Sequence, residues 1–309
     1  MAHAKNEIAN DAAYSEMSWA FAGLGQMGLP MARCLSAATD VVAYDWKGRS
    51  YDGLRTVSIP AELRVCDTLI TCLPHGEAVE EALFGENALA SALPEGAAVI
   101  DTSTTSHGEA VRIGARLADM GLGFLDAPVT GMRQRAEQGT LTMMVGGDAS
   151  VLESRHAMLS SMASKILHLG PTGAGQLGKL INQLLFDINM AALAEILPIS
   201  TKLGLDPEQV AEVINSGAGR SFASEFFVPN ILKGVFDQGY PMRSAYKDLI
   251  AGAELTAQNG FPAPVLAAAT ATYQQALAQG LGQRDKGAML QVFERLIGAQ
   301  FRAKGHDND

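Results

Sequence analysis

The sequence predicts a doubly wound α/β domain with a mostly parallel sheet over residues 18–172, followed by an all-α domain over 173–309, the two linked by one long helix. Three observations carry this. Short apolar runs alternate with amphipathic stretches from Trp19 to Leu169, as in successive βαβ units. Strand-like runs stop at Gly170-Pro171-Thr172-Gly173, and everything beyond has helical periodicity. The chain has 309 residues, more than one hydrophobic core usually organises.

Residues 1–17 are polar and aperiodic and are expected to be a mobile tail. Seven runs then read as strands: Trp19–Ala22, Val41–Tyr44, Thr68–Leu73, Ala97–Asp101, Gly123–Ala127, Leu141–Val145 and Ile166–Leu169. Their continuous apolarity suits strands covered on both faces. Between Asp45 and Asp67, Gly48, Gly53 and Pro60 leave little room for a crossover helix, so a truncated connection is expected. From about 175 to 203 one long helix is predicted, with Leu180, Leu184, Ile188, Ala191 and Glu195 at three- and four-residue spacing. Pro198 should kink or break it, and Gly204 ends it. Helices are then predicted over 206–215, 226–235, 244–258, 264–279 and 286–297.

Composition narrows the function. Hydrophobic residues make up 48% and charged residues 18%, which builds a packed core and argues against disorder. The net charge of −10 disfavours a nucleic-acid partner, while a small anion could still be met by a few local cations. No apolar run free of polar residues or glycine reaches the length of a membrane span, and the start lacks a secretion signal. Cys34, Cys66 and Cys72 show no metal-ligand spacing or disulfide framework, so they are expected as thiols in a cytoplasmic protein. The thirteen methionines, Met143-Met144 among them, read as core filler.

The most informative local motif is Gly23-Leu24-Gly25-Gln26-Met27-Gly28, placed between the first apolar strand and a helix over 29–38. Gly23 permits a tight turn, Gly25 lets a pyrophosphate approach the backbone, and Gly28 permits close helix–strand packing. The helix N-terminus stabilises phosphate charge. Asp45 closes the second strand about twenty residues on, where a carboxylate accepts from ribose hydroxyls. Together these mark a dinucleotide-binding Rossmann domain. A carboxylate repels a 2′-phosphate, so NAD is favoured over NADP, although Lys47 and Arg49 just beyond could neutralise one.

Five ordered blocks resemble the β-hydroxyacid dehydrogenases, the family of 3-hydroxyisobutyrate dehydrogenase and tartronate semialdehyde reductase (2-hydroxy-3-oxopropionate reductase). They are the glycine turn continuing through Leu29-Pro30-Met31-Ala32, Asp101-Thr102-Ser103-Thr104, Asp126-Ala127-Pro128-Val129-Thr130-Gly131, Gly173-Ala174-Gly175-Gln176-Leu177-Gly178-Lys179, and Lys247-Asp248-Leu249. Gly139-Thr140-Leu141-Thr142 and Val145-Gly146-Gly147 are similar too, so the resemblance spans about 19–297.

The resemblance implies NAD(P)-dependent hydride transfer to or from a short β-hydroxy acid or its semialdehyde, with Lys179 as general acid/base. An unperturbed lysine titrates near 10.4, so such a base works at neutral pH only where desolvation or positive charge lowers it. Asn182 and Gln183 share its helix face at i+3 and i+4 and would orient substrate or hold the lysine; many relatives have Asn-Asn here. Thr130 and Gly131 stand where the family binds the substrate carboxylate with Ser-Gly-Gly. Thr replaces Ser, and Met132 replaces the second Gly. That keeps a hydroxyl but adds bulk, which puts the family's usual substrate in doubt. Ser103 and Thr104 would lie near the nicotinamide ribose, unless they merely cap a helix, and Leu73 and Pro74 near the cofactor. Lys247 would approach cofactor and substrate, or else pair with Asp248 on the surface.

Other residues read more plainly. Arg133 and Arg135 suit a solvated loop, though they could reach an anionic substrate. Phe222, Phe226 and Phe227 suit a buried helix face, one ring of which could line a pocket. His107, where relatives commonly have Pro, has no assigned role. No metal site is expected. Apolar helix surfaces and the resemblance together imply a homodimer or homotetramer. Two alternatives stay open: a non-catalytic dinucleotide-binding interaction protein, against which Lys179 argues, and an imine-reductase-like enzyme. A 6-phosphogluconate-type dehydrogenase would need a longer helical domain.

Overall fold

The computed structural model describes residues 18–305, so the tail expected over 1–17 lies outside the described residues. The chain divides into two compact units between Lys179 and Leu180.

The first unit begins with β1 (Trp19–Ala22), α1 (Gly28–Ser36), β2 (Val41–Tyr44), β3 (Arg55–Val57) and β4 (Thr68–Thr71). α2 (Gly76–Phe84), α3 (Leu89–Ala92), β5 (Ala98–Asp101), α4 (His107–Asp119) and β6 (Gly123–Asp126) follow. β7 (Val129–Thr130), α5 (Met132–Glu137), β8 (Leu141–Gly147), α6 (Ala149–Glu153), α7 (His156–Leu159) and β9 (Ala163–Gly170) complete it. The spatial order is β3-β2-β1-β4-β5-β6-β8-β7, with β9 beside β8. Pairing is parallel from β3 through β6; β6 and β7 meet β8 antiparallel, and β8 and β9 run parallel.

Each face of the sheet is covered by its own apolar cluster. Ala20, Val42, Leu69 and Val99 point into one, and Trp19, Phe21, Ile70 and Ile100 into the other. The central strands are buried on both sides, which is why their sequences read as unbroken apolar runs. Chain order reverses at β1, between β2 and β4, and this switch point opens the crevice where a doubly wound sheet takes its ligand.

Two strands escape the sequence reading. β3 has three residues with one buried, and β7 has two, both too short to show a period. The expected truncated crossover is present as β3 and a 3₁₀ turn over Pro60–Val65.

α8 (Ala174–Lys202) leaves the first unit and enters the second. The helical unit continues with α9 (Pro207–Ser216), α10 (Phe222–Leu232), α11 (Met242–Gln258), α12 (Pro264–Ala278), a 3₁₀ turn over Lys286–Met289 and α13 (Leu290–Ile297). The break expected at Pro198 is absent, since α8 runs through it. Pro198 removes one backbone N–H donor from the helix, and the turns on either side of it stay helical. α10 starts earlier than predicted because Ser221 and Ser224 cap it reciprocally. By length and composition α8 matches a membrane span. Its Asp187 is nonetheless fully buried within the helical unit against Lys286 and Tyr273.

Candidate functional site

The glycine turn has the geometry its spacing predicts. Gly23 has φ +96°, and a Cβ there would lie 2.2 Å from the Cys72 carbonyl oxygen of the neighbouring strand end. A Cβ on Gly28 would lie 1.8 Å from the Gly23 oxygen, so α1 starts as close to the turn as backbone permits. Gly25 differs: it is exposed, and a Cβ there would meet nothing within 4 Å. Gly23 and Gly28 are therefore fixed by packing, while Gly25 leaves open space over the backbone. Leu24 and Met27 are half-buried and pack on the core, whereas Gln26 is exposed. α1 has no side-chain cap and no acidic residue in its first turn, so its N-terminal dipole faces the turn uncompensated. These features fit a dinucleotide pyrophosphate.

Asp45, at the end of β2, is buried and heavily engaged. One carboxylate oxygen accepts from the Lys47 backbone N–H at 2.8 Å. The other accepts from Arg49 Nε at 2.9 Å and from the Tyr51 hydroxyl at 2.7 Å. Burial alone would raise its pKa; these donors outweigh it and hold the carboxyl below the ordinary range. Arg49 is thus an ion-pair partner of Asp45 while its side chain stays exposed, and Lys47 lies over the Trp46 ring. A ribose placed here would meet a carboxylate already flanked by a guanidinium.

The loops after β4 and β5 are sewn together. Leu73 donates its N–H to Ser103 Oγ at 2.8 Å, and the Ser103 N–H donates to Asp101 Oδ1 at 3.1 Å. Ser103 therefore joins two strand ends; the capping role belongs to Ser106, which forms a capping box with Glu109 on α4. Thr104 and Pro74 are exposed beside these loops. Asp101 is fully buried, and burial raises its pKa against the hydrogen bonds of Ser103 and Thr71. Burial pushes the Cys72 thiol up to about 11, so it is no nucleophile at neutral pH.

Lys179 is placed by a chain of contacts that begins at Asp126. The Asp126 carboxylate accepts from the Gly173 N–H at 2.6 Å and the Gln176 N–H at 2.9 Å, anchoring the start of α8 to the end of β6. Burial raises the Asp126 pKa, and these amides oppose the rise. Gly146 and Gly175 make the approach possible, since a Cβ on either would fall within 3 Å of backbone across the junction. The Gln176 side chain then accepts from the Thr105 N–H at 3.1 Å and donates to the Ser103 oxygen at 2.9 Å. Lys179, one turn along the helix, donates from Nζ to the Val129 oxygen at 2.9 Å. The compact unit consequently reaches Lys179 and not only residue 172. Gln176 and Asp126 were not singled out in the sequence; the available signal was a lone amide and a lone carboxylate inside glycine-rich blocks.

Val129 opens the turn Thr130-Gly131-Met132. Thr130 pairs with Thr142 of β8, so the sheet fixes the entry to the turn. Gly131 has φ +138° and Met132 has φ +60°. The backbone thus keeps, at Met132, the left-handed conformation that favours glycine.

In the helical unit, Gln183 donates to Asp248 Oδ2 at 3.2 Å, and Asn182 donates to the Gln183 oxygen at 3.3 Å. The Gln183 amide is therefore held by α11, while Asn182 and Lys247 are exposed. Beneath them Asp187 is buried with Lys286, which lies 4.0 Å from the Phe186 ring centroid, and the Tyr273 hydroxyl donates to Asp187 at 3.1 Å. Burial raises Asp187 to about 6 despite Lys286. Phe227 is buried and Phe226 packs on the core, but Phe222 is exposed. Among the described residues no group of His, Cys, Asp and Glu could hold a metal ion.

Comparison with known proteins agrees with this geometry. Residues 18–170 match the NAD binding domain of 6-phosphogluconate dehydrogenase, and residues 173–293 match the NAD-binding family model of NADP-dependent 3-hydroxyisobutyrate dehydrogenase. The chain is 35% identical over 286 residues to 2-(hydroxymethyl)glutarate dehydrogenase of Eubacterium barkeri, covering 90% of this chain and 95% of that one. It is 36% identical over 279 residues to L-threonate dehydrogenase of Cupriavidus necator, covering 88% and 94%. The solved structure of Mycobacterium tuberculosis 3-hydroxyisobutyrate dehydrogenase with L-serine superposes with a TM-score of 0.79 at 31% identity, covering 89% and 98%. The glycine turn, the Asp126-anchored helix and these matches over nearly the whole described chain place it in one family: the chain belongs to the NAD(P)-dependent β-hydroxyacid dehydrogenases.

Proposed function

We propose that this chain interconverts a short β-hydroxy acid and its semialdehyde, with Lys179 as general acid/base. The observation that carries this is the 2.9 Å hydrogen bond from Lys179 Nζ to the oxygen of Val129, which tethers the lysine to the turn that would seat the substrate carboxylate. The bound nicotinamide supplies or accepts the hydride. The chain's own residues do the rest. The Thr130 hydroxyl and the backbone amides around Gly131 and Met132 bind the carboxylate. In oxidation the Lys179 amine takes the hydroxyl proton; in reduction its ammonium returns a proton to the forming alkoxide. Ser103, Thr104, Leu73 and Pro74 line the cofactor side, and Gln176 keeps that side in register with the helix of Lys179. The family resemblance assigns Asn182, Gln183 and Lys247, which belong to the helical unit, to substrate and cofactor.

Asp45 supports NAD over NADP, because a buried carboxylate beside the ribose repels a 2′-phosphate. Relatives that act on 2-(hydroxymethyl)glutarate and L-threonate support acids of four to six carbons as the substrate class. The exposed α8 residues Ile181, Leu185, Ile196 and Ile199, with Leu203 just beyond the helix, support a homodimer or homotetramer, which light scattering tests. The free thiols of Cys34, Cys66 and Cys72 support a cytoplasmic location.

The decisive experiment is a steady-state panel of short hydroxy acids and semialdehydes at saturating NAD(H) and NADP(H). Turnover of at least one acid is expected, with higher kcat/KM for NAD(H). No turnover across the panel would overturn the activity, and a clear preference for NADP(H) would overturn the cofactor assignment.

A further inference from the structure

Asp45 stands where a dinucleotide-binding sheet presents a carboxylate to the adenosine 2′-hydroxyl, yet its own loop already supplies it with donors. A carboxylate offers about four acceptor positions, two on each oxygen. Oδ1 receives the Lys47 backbone N–H at 2.8 Å. Oδ2 receives Arg49 Nε at 2.9 Å and the Tyr51 hydroxyl at 2.7 Å, and Arg49 Nη2 is also 2.7 Å away. Oδ2 is therefore full, while Oδ1 keeps room for one more donor.

The fold holds these donors in place. Tyr51 opens a turn in which the Leu54 N–H donates to its oxygen at 3.1 Å and Gly53 takes φ +78°. That turn leads into β3, which pairs with β2 and whose Val57 oxygen accepts from the Asp45 N–H at 3.0 Å. Both ends of the loop are thus tied to one strand pair. Arg49 is more exposed, but its guanidinium carbon lies 5.9 Å from the Tyr51 ring centroid and its charge opposes that of Asp45.

Sheet order decides which ribose hydroxyl meets the full oxygen. β2 lies between β1, which carries the glycine turn, and β3, which Tyr51 leads into. A nucleotide with its pyrophosphate on the glycine turn reaches Asp45 with its 5′ end toward β1. Its 3′-hydroxyl then arrives on the β1 side. The 2′-hydroxyl, one carbon further from the phosphate, arrives on the β3 side, where Arg49 and Tyr51 approach Oδ2.

We propose that Arg49 and Tyr51 occupy the place of the 2′-hydroxyl on Asp45, so that the enzyme holds the adenosine ribose through its 3′-hydroxyl alone. This rests on the functional reading above, in which the dinucleotide lies on the glycine turn. The charge of Asp45, which disfavours a 2′-phosphate, is kept; one hydrogen bond to the cofactor is given up. Tyr51 is then a specificity residue that acts through Asp45.

The test is calorimetric titration of NAD+, and of NAD+ lacking the adenosine 2′-hydroxyl, into wild type, Tyr51→Phe and the double variant Arg49→Met/Tyr51→Phe. Asp45→Ala is titrated with NAD+, and the Tm of every variant is recorded. Wild type should bind the two dinucleotides within about threefold of each other, since a hydroxyl left in water forfeits no hydrogen bond to the protein. Tyr51→Phe keeps the ring and frees one position on Oδ2. NAD+ should then bind about tenfold more tightly, the size of one hydrogen bond to a charged acceptor, while the deoxy analogue is unchanged. The double variant should separate the two ligands at least as far. A larger loss for the deoxy analogue in wild type, or equal affinities for the two ligands in both variants, overturns the inference and leaves the dehydrogenase reading intact. No binding of NAD+ by wild type, or an NAD+ affinity unchanged in Asp45→Ala, overturns the seat assigned to the ribose, and this inference with it.

Discussion

Lys179 donates from Nζ to the main-chain oxygen of Val129 across 2.9 Å, so a hydrogen bond ties this amine to the turn at Thr130-Gly131-Met132. Lys179→Ala should lower kcat by about 10²- to 10⁴-fold, the usual contribution of a positioned acid/base. NADH binding, followed by fluorescence, should change little, because the glycine turn and Asp45 are untouched. Near-normal turnover in this variant would remove Lys179 from the mechanism.

Asp126 tests whether the helix start positions that lysine. Asp126→Ala leaves the Gly173 and Gln176 amides without their acceptor, and loss of a helix cap costs about 1–2 kcal/mol. Urea unfolding should show that loss, with a fall in kcat and little change in cofactor Kd. If stability drops while kcat stays at the wild-type level, the contact is structural only.

The glycines at positions 25 and 28 should respond in opposite ways. Gly28→Ala forces a Cβ to 1.8 Å from a backbone oxygen and should destabilise the fold by several kcal/mol, or prevent soluble expression. Gly25→Ala has nothing within 4 Å and should keep the wild-type Tm while weakening NAD binding. Unimpaired NAD affinity in Gly25→Ala would displace the pyrophosphate from this turn.

The Asp45–Arg49 pair gives a test of the proposed NAD preference. Asp45→Ser removes the carboxylate and releases Arg49 from its 2.7 Å ion pair, so kcat/KM should shift toward NADP(H) by about tenfold or more. A variant that loses NAD activity without gaining NADP activity would show that Arg49 cannot reach a 2′-phosphate.

The buried Asp187–Lys286 pair should make stability depend on pH. Asp187 titrates near 6 in the folded chain, above the ordinary 3.8. Between about pH 4 and 6 the folded state therefore holds a proton that the unfolded chain has released, and stability from this group declines as pH rises through that window. Lys286→Met removes the attraction that limits the rise, so the window extends upward. At pH 7 the variant should lose about 3–5 kcal/mol, and clearly less near pH 4.5 where Asp187 is neutral. An equal loss at both values, measured by urea unfolding, would rule out the pair as the cause.

Long elements and the glycine turn were legible because each repeats one signal. β1, β2, β4, β5 and β6 are apolar on both faces, and Gly23, Gly25 and Gly28 have fixed spacing between strand and helix. β3 and β7 were not, because two or three residues carry no period and gain their pairing from neighbours already in place. The Arg49–Asp45 ion pair was not legible, since contact with a partner four residues back depends on how the loop folds around Asp45.

The sequence by itself determined the fold class and the order of the two domains, and it marked the glycine turn and, through the family resemblance, Lys179 as candidates. Fold class and domain order are written in periodicity, and the turn in glycine spacing, which act along a few consecutive residues. Tertiary structure decided which polar groups meet. Asp126 reaches Gly173 and Gln176, Gln176 reaches Ser103 and Thr105, and Lys179 reaches Val129, all across at least 47 residues of chain. It also decided that Met132 occupies a left-handed position, a property of the turn's backbone to which its side chain gives no clue. Hydrogen bonds between strand ends are set by sheet order, and sheet order exists only after the chain has packed.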